Sequence, residues 1–184
     1  MSIKPAASTG SVSNAATAAR SGRGGRSSRL TQDRVWKELT RASFAVVSYV
    51  TPAGSPRSSG VVYAVAGRQM YVVVAEDSWK AKHIATSGQV AVTAPVRRGG
   101  LMSLIFPIPP ATISFRASAR VHRADSPADR TLPERLTSLV PPERRSRSCI
   151  IEIEPTGVFV TYGVGVALRK MRNPTLARAR VPVG

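Results

Sequence analysis

Apolar residues fall in short, regularly interrupted runs along this chain, and the period of those runs predicts mostly strands. From Thr31 the spacing is helical: Val35, Leu39 and Ala42 form a stripe at i, i+4, i+7, with Trp36 beside it. Phe44 to Thr51 then reads as a strand, and Pro52-Ala53-Gly54-Ser55-Pro56 as a turn in which Gly54 can take a positive φ. Arg57 to Ala66 reads as a second strand. Gly67-Arg68 makes a tight hairpin to a third, Gln69 to Ala75. Three such strands in succession predict an antiparallel meander.

The remainder keeps the same style. Asp77 to Thr86 reads as a short helix, capped by Asp77 or Ser78 and ended by Gly88. Gln89 to Val96 is a fourth strand, followed by a long loop, Arg97 to Pro110, with an apolar centre. Ala111 to Arg123 alternates most cleanly. Ile113, Phe115, Ala117, Ala119 and Val121 face one way; Ser114, Arg116, Ser118, Arg120 and His122 face the other. Asp125 to Val140 reads as a helix with Pro127 in its first turn. Cys149 to Tyr162 reads as a strand pair bent at Pro155-Thr156-Gly157. A short basic helix, Val166 to Arg172, stops at Asn173-Pro174. About six strands with two or three short helices give a small antiparallel barrel with helices at its openings.

Composition divides the chain in two. Residues 1–30 are Ala, Ser, Gly and Arg with almost nothing to bury, and they read as a disordered basic tail. Residues 31–184 read as a single domain. Pro5 to Ala19 is too small and polar for a secretory signal, and no run approaches the length of a membrane span. Net charge is +17. The tail supplies +5 of it through Lys4, Arg20, Arg23, Arg26 and Arg29, so the folded part keeps +12. That balance favours anionic partners, phosphates and nucleic acid among them, without choosing one. Cys149 is the lone cysteine, which excludes an intrachain disulfide and fits a reducing cytoplasm. It shares a strand face with Ile151 and Ile153 and reads as a buried apolar filler.

Candidate chemistry is sparse. No His, Asp or Glu cluster has metal-ligand spacing, and His83 and His122 lack the partners of a catalytic triad. Gly163-Val164-Gly165 lacks the third glycine of a dinucleotide fingerprint. The promising position is Ser78-Trp79-Lys80. A helix N-terminus offers unpaired amides and the positive end of the helix dipole, and a phosphate there would add the Ser78 hydroxyl and the Lys80 ammonium. Alternatively, Ser78 is only a cap, Lys80 a solvated first-turn residue and Trp79 a core residue.

Strand, glycine-containing turn and strand over 44–66, the hairpin strand Met70–Glu76, Ser78-x-Lys80 and the strand Gln89–Ala94 follow one another in an order that resembles the pyridoxamine 5′-phosphate oxidase-like family. The resemblance covers residues 43–94. It implies a six-stranded antiparallel split β-barrel that binds FMN at a homodimer interface. The implied cofactor contacts are Arg57, Ser58, Ser59, Gly60 and Val61 on the second strand, Val73, Val74 and Ala75 at the end of the third, and Ser78, Trp79 and Lys80. Val74 stands where many relatives carry threonine, which removes one hydroxyl contact. The C-terminal Arg- and Trp-rich motif of true pyridoxamine phosphate oxidases has no counterpart, because no Trp follows residue 120. A different small-molecule redox substrate is therefore expected. Three functions stay open: an FMN oxidoreductase; a reductase using the deazaflavin coenzyme F-420, whose acidic tail suits the basic domain; and a non-catalytic module binding flavin, heme or nucleic acid.

Overall fold

The computed structural model describes residues 30–97, 110–123 and 142–184. The basic tail to residue 29, the apolar centre of the long loop and the expected helix 125–140 lie outside the described residues.

Helix α1, Gln32–Arg41, starts at Thr31, whose hydroxyl accepts from the Arg34 amide at 3.4 Å. Val35 and Leu39 of its expected stripe are buried, Ala42 is half-buried at the C-cap, and Trp36 sets its ring edge-on to Phe159 with centroids 5.5 Å apart. The strands are β1 (Phe44–Val50), β2 (Pro56–Val62), β3 (Ala64–Ala66), β4 (Gln69–Ala75), β5 (Gln89–Val96), β6 (Ala111–Arg123), β7 (Ser148–Tyr162) and β8 (Arg178–Pro182). Helix α2, Trp79–Ser87, lies between β4 and β5. Short helices α3 (Pro142–Arg145) and α4 (Pro174–Ala177) and the 3₁₀ turn Leu168–Arg172 complete the described elements.

One antiparallel sheet runs β2-β1-β5-β6-β7-β4-β3, with β8 also on β7. Alternation places Val47 of β1, Val72 of β4, Val92 of β5, Ile113 of β6 and Ile151 of β7 inside, all almost fully buried, and α1 covers one end with Leu39. Cys149 is buried as expected. Burial, and after it the nearby Glu76 carboxylate, pushes its thiol pKa up, so it is a poor nucleophile.

The expected meander is present but bent: the segment 57–66 pairs with β1 through β2 and with β4 through β3. Three expectations need correction. The segment read as one strand, 57–66, breaks at Tyr63. There the backbone N–H turns to the Ser43 carbonyl at 3.1 Å and the hydroxyl to the Leu39 carbonyl at 2.8 Å. Because β2 and β3 are the two ends of the sheet path, this break lets one bent segment join them and close the barrel. The segment read as a strand pair is instead one strand, β7, which changes partner along its length. It pairs with β4 over Ser148–Ile153 and with β8 over Val158–Tyr162, and Gly157 sits between at φ 74°. The split β-barrel stands, with eight strands among the described residues rather than six. The two additional strands are the short β3 and β8.

Candidate cofactor site

The register of β1 with β2 sorts the predicted residues by face. Arg57, Ser59 and Val61 pair with Tyr49, Val47 and Ala45 and so share the inward side. Val61 is buried, and Ser59 Oγ is buried without a hydrogen-bond partner. Arg57, nearest the hairpin turn, is exposed. Ser58 and Gly60 point outward. The Ser58 and Ser48 hydroxyls meet at 2.7 Å, and the Phe44 ring lies over Gly60 where a Cβ would come within 2.8 Å of it.

The edges matter as much as the faces. Among the described residues β2 pairs with β1 alone, so alternate residues direct their N–H and C=O groups to its open side. On β4, Val73, Val74 and Ala75 pair with Ile150, Cys149 and Ser148 of β7, whereas β3 reaches no farther than Tyr71. The end of β4 therefore has an open edge too. Continuing the β3–β4 hairpin past Tyr63 sets that edge toward β2. The barrel is split there, and the residues expected on strands two and three form the two lips of the split.

Helix α2 starts where the second lip ends. Ser78 is its N-cap: the hydroxyl accepts from the Ala81 amide at 3.2 Å, leaving the first-turn amides of Trp79 and Lys80 without an intrahelical acceptor. Gly88 closes the helix at φ 62°. Lys80 is half-buried, burial lowers its ammonium pKa, and no carboxylate pairs with it among the described residues. A partly desolvated cation beside free amides is electrostatically suited to an anion.

Trp79 is 71% exposed, so it is not a core residue. It lines an open cleft of about 660 Å³ with Tyr49, Thr51, Pro52, Ala53, Ser55, Arg57 and His83. The His83 ring lies between the other two, with centroids 5.7 Å from Trp79 and 5.9 Å from Tyr49, and the Lys82 ammonium sits 5.2 Å from the indole centroid. Sequence reasoning missed Tyr49 and His83. The one signal present was the i, i+4 spacing of Trp79 and His83, which puts both on one helix face.

His122, on the polar face of β6, has a partner outside the cleft. It meets Glu152 at 2.6 Å, half-buried, and Gln69 donates to the same carboxylate at 2.7 Å. This cluster is on β4, β6 and β7 and none of its residues lines the cleft. Among the described residues, no group of His, Cys, Asp and Glu is placed to hold a metal ion.

No family model and no curated protein matches the chain. Solved structures do. The heme storage protein HutZ from Vibrio cholerae superposes with a TM-score of 0.58 at 15% identity, covering 74% of this chain and 98% of its own. A provisionally named pyridoxamine 5′-phosphate oxidase from Listeria innocua gives 0.52 at 15% identity, covering 67% and 92%. An F420 reductase gives 0.50 at 19% identity, covering 67% and 93%. At these identities the likeness concerns the fold. The chain has the split-barrel fold of the pyridoxamine 5′-phosphate oxidase-like proteins, the architecture that residues 43–94 pointed to.

Proposed function

We propose that this protein is a flavin-dependent oxidoreductase that holds FMN in the split of its barrel and works as a homodimer in the cytoplasm. The observation that carries the reading is convergence: two open strand edges, 57–61 and 73–75, meet the free first-turn amides of α2 beside the half-buried Lys80. Lys80 and the amides of Trp79 and Lys80 bind the phosphate. The open edge of β2 supplies backbone donors and acceptors to the ring, and the buried Ser59 hydroxyl gains a partner there. When bound, the flavin supplies the hydride or electron transfer, which is why the protein needs no acid–base constellation of its own.

The homodimer reading draws on the outward face of the hairpin. There Phe44 and Val62 are paired neighbours, each about half exposed, and Val50 adds to the patch. A second copy would cover them and shield the split from water.

F420 and heme are among the ligands named for solved proteins of this fold. The deazaflavin coenzyme F-420 stands as the second reading, because Arg57, Lys80 and Lys82 would suit its acidic tail. Heme fits the cleft poorly. His83 is the one imidazole lining it, and its Nδ1 is buried without the acceptor that orients an iron-bound histidine. Absorbance and mass spectrometry of the co-purifying small molecule test the reading. A yellow protein releasing FMN or another flavin supports it; a released deazaflavin, heme or bound nucleic acid overturns it.

A further inference from the structure

We propose that residues 168–180 are a docking surface for an anionic lipid bilayer, on which the protein rests without crossing it, a property separate from the cofactor reading.

The sequence sets the charge. Residues 155–184 contain no Asp or Glu but hold Arg169, Lys170, Arg172, Arg178 and Arg180. All these cations are exposed, and none forms an ion pair among the described residues. Between them stand two apolar side chains turned to water, Leu168 at 46% exposure and Leu176 at 55%.

The fold holds them there. The 3₁₀ turn Leu168–Arg172 and α4 are pinned through the buried Met171 and Ala177. The Tyr162 hydroxyl donates to the Met171 carbonyl at 2.9 Å, and the Gly163 amide donates to the Ala177 carbonyl at 2.8 Å. The Asn173 side chain accepts from the Thr175 amide at 3.0 Å. Tyr162 pairs with Arg178 and Val160 with Arg180, so the two arginines of β8 share the sheet face of Tyr162 and flank the turn it holds. Strands β5, β6 and β7 separate this surface from the β1–β2 hairpin.

Charge and shape choose the occupant. Residues 172–176 are all exposed, so the unit stands out from the barrel and does not line a hollow that would receive a helix. Cations around exposed leucines suit a bilayer interface, where arginines meet lipid phosphates and leucines enter the acyl boundary. Nucleic acid would satisfy the arginines and leave both leucines in water. The barrel is filled by its own core and no described helix is long and apolar enough to cross a membrane, so the contact is peripheral.

Cosedimentation of the full chain with vesicles of phosphatidylcholine, with and without phosphatidylglycerol, provides the test. Binding is expected only with phosphatidylglycerol and should fall as salt rises. Arg169→Ala with Arg172→Ala should weaken it about twentyfold, roughly fivefold for each cation near a lipid surface. Leu168→Ser with Leu176→Ser should weaken it about tenfold through lost apolar burial, at unchanged circular dichroism. If that pair disturbs folding, Leu176→Ser alone should still cost about fivefold. Absence of binding, or equal binding to both vesicles, overturns the inference. Losses confined to the arginine variants reduce the contact to charge alone and overturn it, as does binding indifferent to both pairs, which would place it in residues 1–30. Preference for duplex DNA over the vesicles, or leucine variants that change oligomeric state in light scattering, would assign the surface to nucleic acid or to a second copy instead.

Discussion

The Tyr63 hydroxyl donates to the Leu39 carbonyl at 2.8 Å, and both residues are buried. Leu39 lies in the last turn of α1, where carbonyls have no intrahelical donor. One hydrogen bond thus satisfies a helix end, anchors α1 over the barrel and fixes the break between β2 and β3. Tyr63→Phe should leave that carbonyl buried and unpaired at a cost of about 1–3 kcal/mol. Thermal unfolding should shift down by roughly 2–4 °C per kcal/mol for a chain of this size. An unchanged Tm would show that water replaces the contact.

The same residue sets an alkaline limit. Burial raises the Tyr63 pKa far above its ordinary value, so folding favours the neutral phenol. Its contribution is intact below the unfolded value, about 10, and is lost as pH rises toward the folded one. The stability gap between wild type and Tyr63→Phe should therefore narrow above about pH 10, as read by chemical denaturation across that range.

Lys80 and Lys82 lie two residues apart and point to different sides of α2, which makes them a matched pair. Lys80→Ala should weaken FMN about ten- to hundredfold, the equivalent of about 1.5–3 kcal/mol for a charge-assisted contact. Lys82→Ala removes the same charge and should do much less. Equal losses in a fluorescence titration would reduce the effect to general electrostatics, and no loss in either would reduce Ser78 to a cap.

Burial lowers the Lys80 pKa, so the free protein loses this charge at a lower pH than an ordinary lysine. A bound phosphate favours the charged form. FMN affinity should be full below the free-protein pKa and decline as pH rises through it. Lys80→Arg stays charged throughout and should flatten the decline. Parallel pH profiles for the two proteins would place the titration elsewhere.

If a second copy covers the outward hairpin face, light scattering should give a dimer at micromolar concentration. Phe44→Asp should give a folded monomer, since the ring it removes is already about half exposed. A monomeric wild type would refute the interface.

What the chain settles locally, its sequence states. The bounds of β4, β5 and β6, and α2 with Ser78 before it and Gly88 after it, follow from alternation, capping and a positive φ, all of which act over a few residues. The list 57–61, 73–75 and 78–80 came from the order of those same elements. Long-range pairing was not legible, because a strand's distant partner depends on edges far away in sequence: β4 finds β7 more than seventy residues on. The break at Tyr63 depends on a carbonyl 24 residues earlier, and the segment 57–66 gives no local sign of it. β8 escaped notice because Val181 alone is buried on it; pairing with β7, not an apolar pattern, makes it a strand. His83 became part of a cleft only when the hairpin end brought Tyr49 beside α2. Tertiary contact decided which strand edges stay open, and the proposed chemistry is located at those edges.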